Sequence, residues 1–235
     1  MSQLIFDIET IGEDFDALDK TTQENLSHWI DDQSFDEDQK AREMEFLKSG
    51  MGFSPLTGEI VVIGMLDYEK QKGAIYFQAP NVDIEDFEED GFKFRAMSEM
   101  EMLAKFWEGA RQYKQFVSFN GRAFDAPFLL VRSAIHKIKP TVNLMPNRYL
   151  QNSSHIDLFD QLTFYGAVRK KGSLHLWSRA FGIQSPKAGG VSGDEVTPMF
   201  KAGKFLDIAH YNRGDLRATR DLYEYWKEYI NFSTF

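Results

Sequence analysis

Gln3-Leu4-Ile5-Phe6-Asp7-Ile8-Glu9-Thr10-Ile11 opens the chain with an apolar run that two carboxylates interrupt, two residues apart. Such a run predicts a buried first strand. Strand side chains alternate faces, so Asp7 and Glu9 share one face while Phe6 and Ile8 enter the layer on the other. Two like charges side by side on a central strand destabilise it unless something positive lies between them. A divalent cation meets that need, because hard ions such as Mg²⁺ and Mn²⁺ take carboxylate oxygens. A solvated strand tip meets it equally well, and the stretch alone leaves both readings open.

Outward from this strand, residues 13–50 form an acidic stretch with helical segments around Thr22–Ile30 and Asp36–Lys48. A turn cluster at 53–58 leads into a β-branched strand, Glu59–Asp67, which pairs with Gly73–Gln78 as an antiparallel hairpin. Asn81–Gly91 reads as a solvated acidic loop. Ser98, with Glu101 in the capping-box position, starts an amphipathic helix that runs to about Tyr113. Phe116–Phe119 is a short strand, Asn120-Gly121 a turn, and a helix follows from Ala126 to His136. His155–Leu158 is a last strand with a helix near Phe159–Tyr165. Ser173–Phe181 is a small helix, 185–193 a Gly-rich loop, and Phe205–Tyr229 a long closing helix. The pattern predicts an α/β domain with a mixed sheet, whose site lies at the carboxyl ends of the parallel strands.

Composition narrows the class. The 235 residues suit one large domain, and 43% apolar residues with 21 Phe supply a sizeable core. There are no cysteines, which excludes disulfides, thiolate metal sites and a Cys nucleophile. No run approaches the ~20 apolar residues of a membrane span, and no signal-peptide pattern opens the chain, so a cytoplasmic protein with no membrane partner is expected. The net charge of −9 is unevenly spread: residues 1–110 hold 26 Asp and Glu against 9 Lys and Arg, and residues 111–235 hold 10 against 18. Such asymmetry fits one surface for phosphates and an acidic N-terminal half free for a protein partner or for solvation.

Two further segments matter. In Ser118-Phe119-Asn120-Gly121-Arg122-Ala123-Phe124-Asp125-Ala126-Pro127-Phe128, Asp125 falls past a strand at a helix start, where the helix dipole favours an anion. Read alone it is a plain N-cap. In His210-Tyr211-Asn212-Arg213-Gly214-Asp215, Tyr211 and Asp215 stand four apart and share a helical face. The ordered combination is Asp-x-Glu on strand one, Asn-Gly-x-x-Phe-Asp after a middle strand, and Tyr-x-x-x-Asp on the last helix. It resembles the DEDD superfamily of 3′–5′ exonucleases. Pro55–Gly64 and Ser173–Gly182 add a resemblance to the exonuclease branch of family-B DNA polymerases, and to stand-alone proteins related to that proofreading domain.

The resemblance covers nearly the whole chain. It implies an RNase H-like three-layer domain spanning 1–235, with a mixed central sheet, helices on both faces and an acidic helical insertion at about 13–50. Asp7, Glu9, Asp125 and Asp215 would hold two divalent cations, Mg²⁺ or Mn²⁺, that clamp the scissile phosphate. Tyr211 would orient the attacking water. A phenol with an ordinary pKa near ~10 is a poor base at neutral pH, so the metals rather than Tyr211 would activate that water. His210 stands at the His-x-x-x-x-Asp spacing of the superfamily's histidine branch and competes for this role, since one helix turns successive residues about 100° apart.

The resemblance also implies that Thr10, Asn120 and Phe124 contact the 3′ end of a single-stranded nucleic acid, with DNA favoured over RNA, and that Lys187 reaches a phosphate. Arg169-Lys170-Lys171 suits nonspecific phosphate binding. Phe119 reads as core. Asp157 stands as a possible supporting residue outside the site, and His28, His136, His155 and His175 carry no expected role. Three other activities remain: a 3′–5′ exoribonuclease, an RNase H-like endonuclease, and a non-catalytic module that binds nucleic acid or a replication protein.

Overall fold

A computed structural model describes residues 2–150, 153–169, 172–184 and 193–232. The first strand, β1 (Gln3–Gly12), lies near the middle of a seven-stranded mixed sheet. β2 (Gly58–Asp67) runs antiparallel to it on one side, and β6 (Gln115–Ser118) runs parallel on the other, with β7 (His155–Asp157) beyond. β3 (Lys72–Phe77) pairs antiparallel with β2, and the hairpin β4 (Phe87–Glu89) and β5 (Phe92–Ala96) extends that edge. The strand order is β4-β5-β3-β2-β1-β6-β7.

Alternation along β1 builds two cores. Leu4, Phe6 and Ile8 pack with Phe106 and Trp107 of α3 (Glu99–Ala110) and Phe128 of α4 (Asp125–Ile135). Ile5 faces the opposite layer with Ile208, Leu216 and Leu222 of the long helix α8 (Phe205–Tyr229). On that layer lie α5 (Leu158–Leu162) and α6 (Leu174–Ala180), both packed on α8, and α7 (Val196–Lys201) lies against β1 and α8. Helices on both faces of a mixed sheet give the RNase H-like three-layer α/β architecture. Asp7 and Glu9 therefore point toward α8.

Local chemistry accounts for the helix starts. Asp19 caps α1 (Lys20–Asp31) through Thr22 N at 3.1 Å. Asp36 with Gln39 forms a capping box on α2 (Glu37–Gly50), and Ser98 with Glu101 forms the expected one on α3. α1 and α2 pack on each other within the acidic stretch.

Part of the segment expected to be a solvated acidic loop is instead a strand. β4 occupies Phe87–Glu89, and Asp90-Gly91 turns it into β5 with φ of 52° and 81°. An Asp-Gly pair at positive φ is the two-residue hairpin turn. Phe87 and Phe94 stack at 4.7 Å between the two strands. Glu89 and Asp90 are turned to α8, where Arg213 pairs with both at 2.9 and 3.4 Å.

Candidate active site

The site grows from the β1–β2 register. Asp7 lies opposite Gly64, and Glu9 opposite Val62, with a register shift after Glu9. Cross-strand partners share a face, so Gly64 leaves an empty place beside Asp7. Asn212 of α8 fills it: a Cβ on Gly64 would overlap Asn212 Oδ1 and come within 2.8 Å of Leu216 Cδ1. Fully buried there, Asn212 donates through Nδ2 to Asp7 Oδ2 at 2.7 Å and to Glu9 Oε1 at 3.4 Å. Asp215, one helical turn on, brings its carboxylate to the same place. Asp7, Glu9 and Asp215 each offer an oxygen within 4.8 Å of the others.

Asp125 sits outside that trio but is tied to it. It is the first residue of α4, and the capping position falls to Phe124, which makes no side-chain cap bond. The carboxylate instead accepts from Ile8 N at 3.0 Å, reaching across to β1 between the two acidic residues. That bond sets Asp125 apart from the plain N-cap its sequence position suggests.

The turn before Asp125 is held by Asp157 at the end of β7. Its carboxylate accepts from Asn120 N at 2.8 Å, Arg122 N at 2.9 Å and Phe159 N at 2.9 Å. Asn120 adopts φ of 63°, a left-handed conformation that asparagine tolerates. Asp157 thus fixes the backbone that delivers Asp125. Beneath it, His155 bridges Ser118 Oγ at 2.8 Å and Leu144 O at 2.7 Å. Burial pushes the imidazole pKa down to about 4, so it is a neutral structural element.

His210 and Tyr211 diverge as successive helical residues must. His210 bonds Glu89 Oε2 at 2.8 Å and meets the Phe94 ring edge-on, facing the β4–β5 hairpin. Tyr211 is half-buried on the carboxylate side and bonds Asp215. Burial, then the charges of Asp215, Glu9 and Asp7, drive its phenol pKa far above the usual range. The Tyr211 hydroxyl therefore stays protonated.

The carboxylates repel each other. Burial, then Asp125, Glu9 and Asp215, raise Asp7 well above its ordinary value. Burial and Asp215 do the same for Glu9, opposed by the Asn212 amide. Asp125 is pushed up to about 7 by burial, opposed by the Ile8 N–H. Crowded, buried, all-oxygen donors of this kind fit a hard divalent cation, which would supply the missing positive charge.

The other expected contacts separate. Thr10 Oγ1 donates to Gly52 O at 2.7 Å, so that proton is already committed. The half-buried Phe124 ring lies 5.4 Å from Phe128 and 6.4 Å from Phe53. Arg169 is exposed, while Lys187, Lys170 and Lys171 lie outside the described residues. Asn212 and Gly64 were missed as site residues from sequence. The available signal was that Asn212 precedes Asp215 by three, which places both on one helical face.

On this RNase H-like sheet, carboxylates from β1 and α8 meet in one place, with Asp125 of α4 beside them. The family model described as a predicted 3′–5′ exonuclease related to the exonuclease domain of PolB matches residues 78–229. The chain belongs to that family. The match takes in Asp125, Tyr211 and Asp215, and begins after β1. Among solved structures, the family B DNA polymerase from the hyperthermophilic archaeon Pyrobaculum calidifontis is similar, at 15% identity and a TM-score of 0.57. The similarity covers 96% of this chain, β1 included, and 24% of that polymerase, so the chain spans about a quarter of its length. At that identity the likeness is one of fold. No curated protein sequence matches the chain. Among the described residues, no helix is long and apolar enough to cross a membrane.

Proposed function

We propose that this protein, as one domain with α1 and α2 inserted after β1, removes nucleotides successively from the 3′ end of single-stranded DNA, releasing nucleoside 5′-monophosphates. The observation that carries this reading is the approach of Asp7, Glu9 and Asp215 to within 4.8 Å, with Asp125 anchored to the same strand at Ile8 N. In this reading the four carboxylates hold two divalent cations, Mg²⁺ or Mn²⁺. The ions would stabilise charge on the attacking and leaving oxygens of the phosphate.

The chain's own residues orient and exclude. Asn212 fixes the rotamers of Asp7 and Glu9 by donating to both. Asp157 fixes the turn that presents Asp125. Tyr211 bonds Asp215 on the carboxylate side and positions the attacking water or the terminal phosphate by hydrogen bonding; a phenol, with an ordinary pKa near ~10, is a poor base at neutral pH. Asn120 and Thr10 line the approach of the 3′ terminus, Phe124 stacks on a base, and Lys187 meets a phosphate. The preference for DNA over RNA follows from the resemblance to a proofreading domain. The acidic α1–α2 surface, unsuited to phosphates, is left for solvent or a protein partner.

The test is a time course on 3′-labelled and 5′-labelled linear strands and on circles, in DNA and RNA, with Mg²⁺ or Mn²⁺. Labelled mononucleotide released first from the 3′ label, with circles intact, is the expected result. Cleavage of circles would make the protein an endonuclease, and faster loss of RNA would make it an exoribonuclease.

A further inference from the structure

We propose that Phe53 is a base-stacking residue at the mouth of the carboxylate site, where with Phe124 it takes an unstacked base near the 3′ end of a single strand. The inference rests on reading the site as one that acts on such an end.

Phe53 closes a short 3₁₀ turn, Met51–Phe53, in which Met51 and Gly52 are buried while Phe53 is 56% exposed. The backbone beneath it is pinned to the end of β1. Thr10 Oγ1 donates to Gly52 O at 2.7 Å, Thr57 Oγ1 to Met51 O at 2.8 Å, and Glu13 N to Thr57 O at 2.8 Å. Gly12 lets the two backbones touch: a Cβ there would lie 2.6 Å from Met51 Cβ and 2.7 Å from Gly52 N. Gly58 does the same, since its Cβ would stand 2.8 Å from Ile11 O. The turn is therefore held against the strand that carries Asp7 and Glu9.

Phe53 is bracketed by the site. Its ring meets that of Phe124 at 6.4 Å with the planes 65° apart, and Phe124 immediately precedes Asp125. Its neighbour Gly52 is bonded to Thr10, which immediately follows Glu9. A large apolar ring held in water on a fixed backbone forgoes burial that a partner could supply. Beside a site for phosphodiester chemistry, a nucleobase is the partner with the matching π-face, and stacking serves every base. Phe53 lies before residue 78, outside the segment matched by the family model.

The experiment measures anisotropy of a 5′-fluorescein oligothymidylate strand in EDTA, where turnover is stopped, with the full chain and the variants F53A, F53L and F53W. F53A should weaken binding about 5- to 150-fold, the range one aromatic–base stack carries. F53W should bind within about twofold of wild type, and F53L should resemble F53A. A strand whose two 3′-terminal nucleotides are abasic should bind wild type and F53A alike. Equal binding of F53A and wild type, rescue by F53L, an unchanged loss on the abasic strand, or no binding by wild type would each overturn the proposal. Turnover is read separately: a wild type that shows the predicted binding pattern but degrades no strand with Mg²⁺ or Mn²⁺ overturns the exonuclease reading and upholds the stacking.

Discussion

Asn212 donates to Asp7 Oδ2 across 2.7 Å, and the same amide nitrogen reaches Glu9 Oε1 at 3.4 Å. One fully buried side chain on α8 thus separates and orients two carboxylates on β1. Groups that orient metal ligands commonly change metal affinity or activity by 10–100-fold when removed. Asn212→Ala is expected to lower activity by about that factor and to raise the Mg²⁺ concentration needed for half-maximal rate. An unchanged metal titration would mean that Asn212 only fills space.

Gly64 is the complement of that bond, because any side chain there collides with Asn212. Gly64→Ala should cost about 1–3 kcal/mol of stability, the usual penalty for overpacking a buried site, measured by urea unfolding. Trimming the obstacle tests the cause: Gly64→Ala with Asn212→Ser should recover part of that loss. Full additivity of the two substitutions would contradict the steric account.

Tyr211 and His210 make opposite predictions. Tyr211→Phe removes a protonated donor beside Asp215 and should cut turnover by an order of magnitude or more. His210→Ala removes a contact to Glu89 and Phe94, loosening the β4–β5 hairpin while turnover stays within about threefold. The reverse ranking in single-turnover assays would place the protein in the histidine branch.

The raised pKa of Asp125 makes metal-free stability depend on pH. At about 7 against an ordinary value near 4, the folded state binds more protons than the unfolded state between those pH values. Stability from this group therefore falls as pH rises from about 4 to about 7. Asp125→Asn keeps an oxygen for Ile8 N and removes the charge. In EDTA its Tm should gain on wild type from pH 5 to pH 8, and saturating Mg²⁺ at pH 8 should shrink that advantage. A Tm difference flat across pH would sink the argument.

Much of this was legible in the sequence, and the rest was hidden for two different reasons. β1, the Ser98–Glu101 capping box and α8 follow from apolar periodicity and local hydrogen bonding, which are written along the chain. The β4–β5 hairpin was hidden because Glu88, Glu89, Lys93 and Arg95 make the segment look solvated. Asp90-Gly91, flanked by Phe87, Phe92 and Phe94, was the turn signal that could have revealed it. Asp125 could be located but not oriented: nothing local distinguishes a helix cap from a carboxylate that reaches Ile8, 117 positions away. Asn212 escaped because its meaning depends on Gly64 in another element. Nearness of motifs was readable through their ordered combination; the polar contacts that brace them were not.

Catalysis at the four-carboxylate site can be tested on a single gel. A 5′-labelled single strand of DNA is incubated with Mn²⁺ and either wild type or Asp215→Asn, each checked for the same circular dichroism spectrum. The account predicts a ladder shortening one nucleotide at a time from the 3′ end with wild type, and an intact strand with Asp215→Asn. Equal ladders from both proteins, or an intact strand with both, would contradict it.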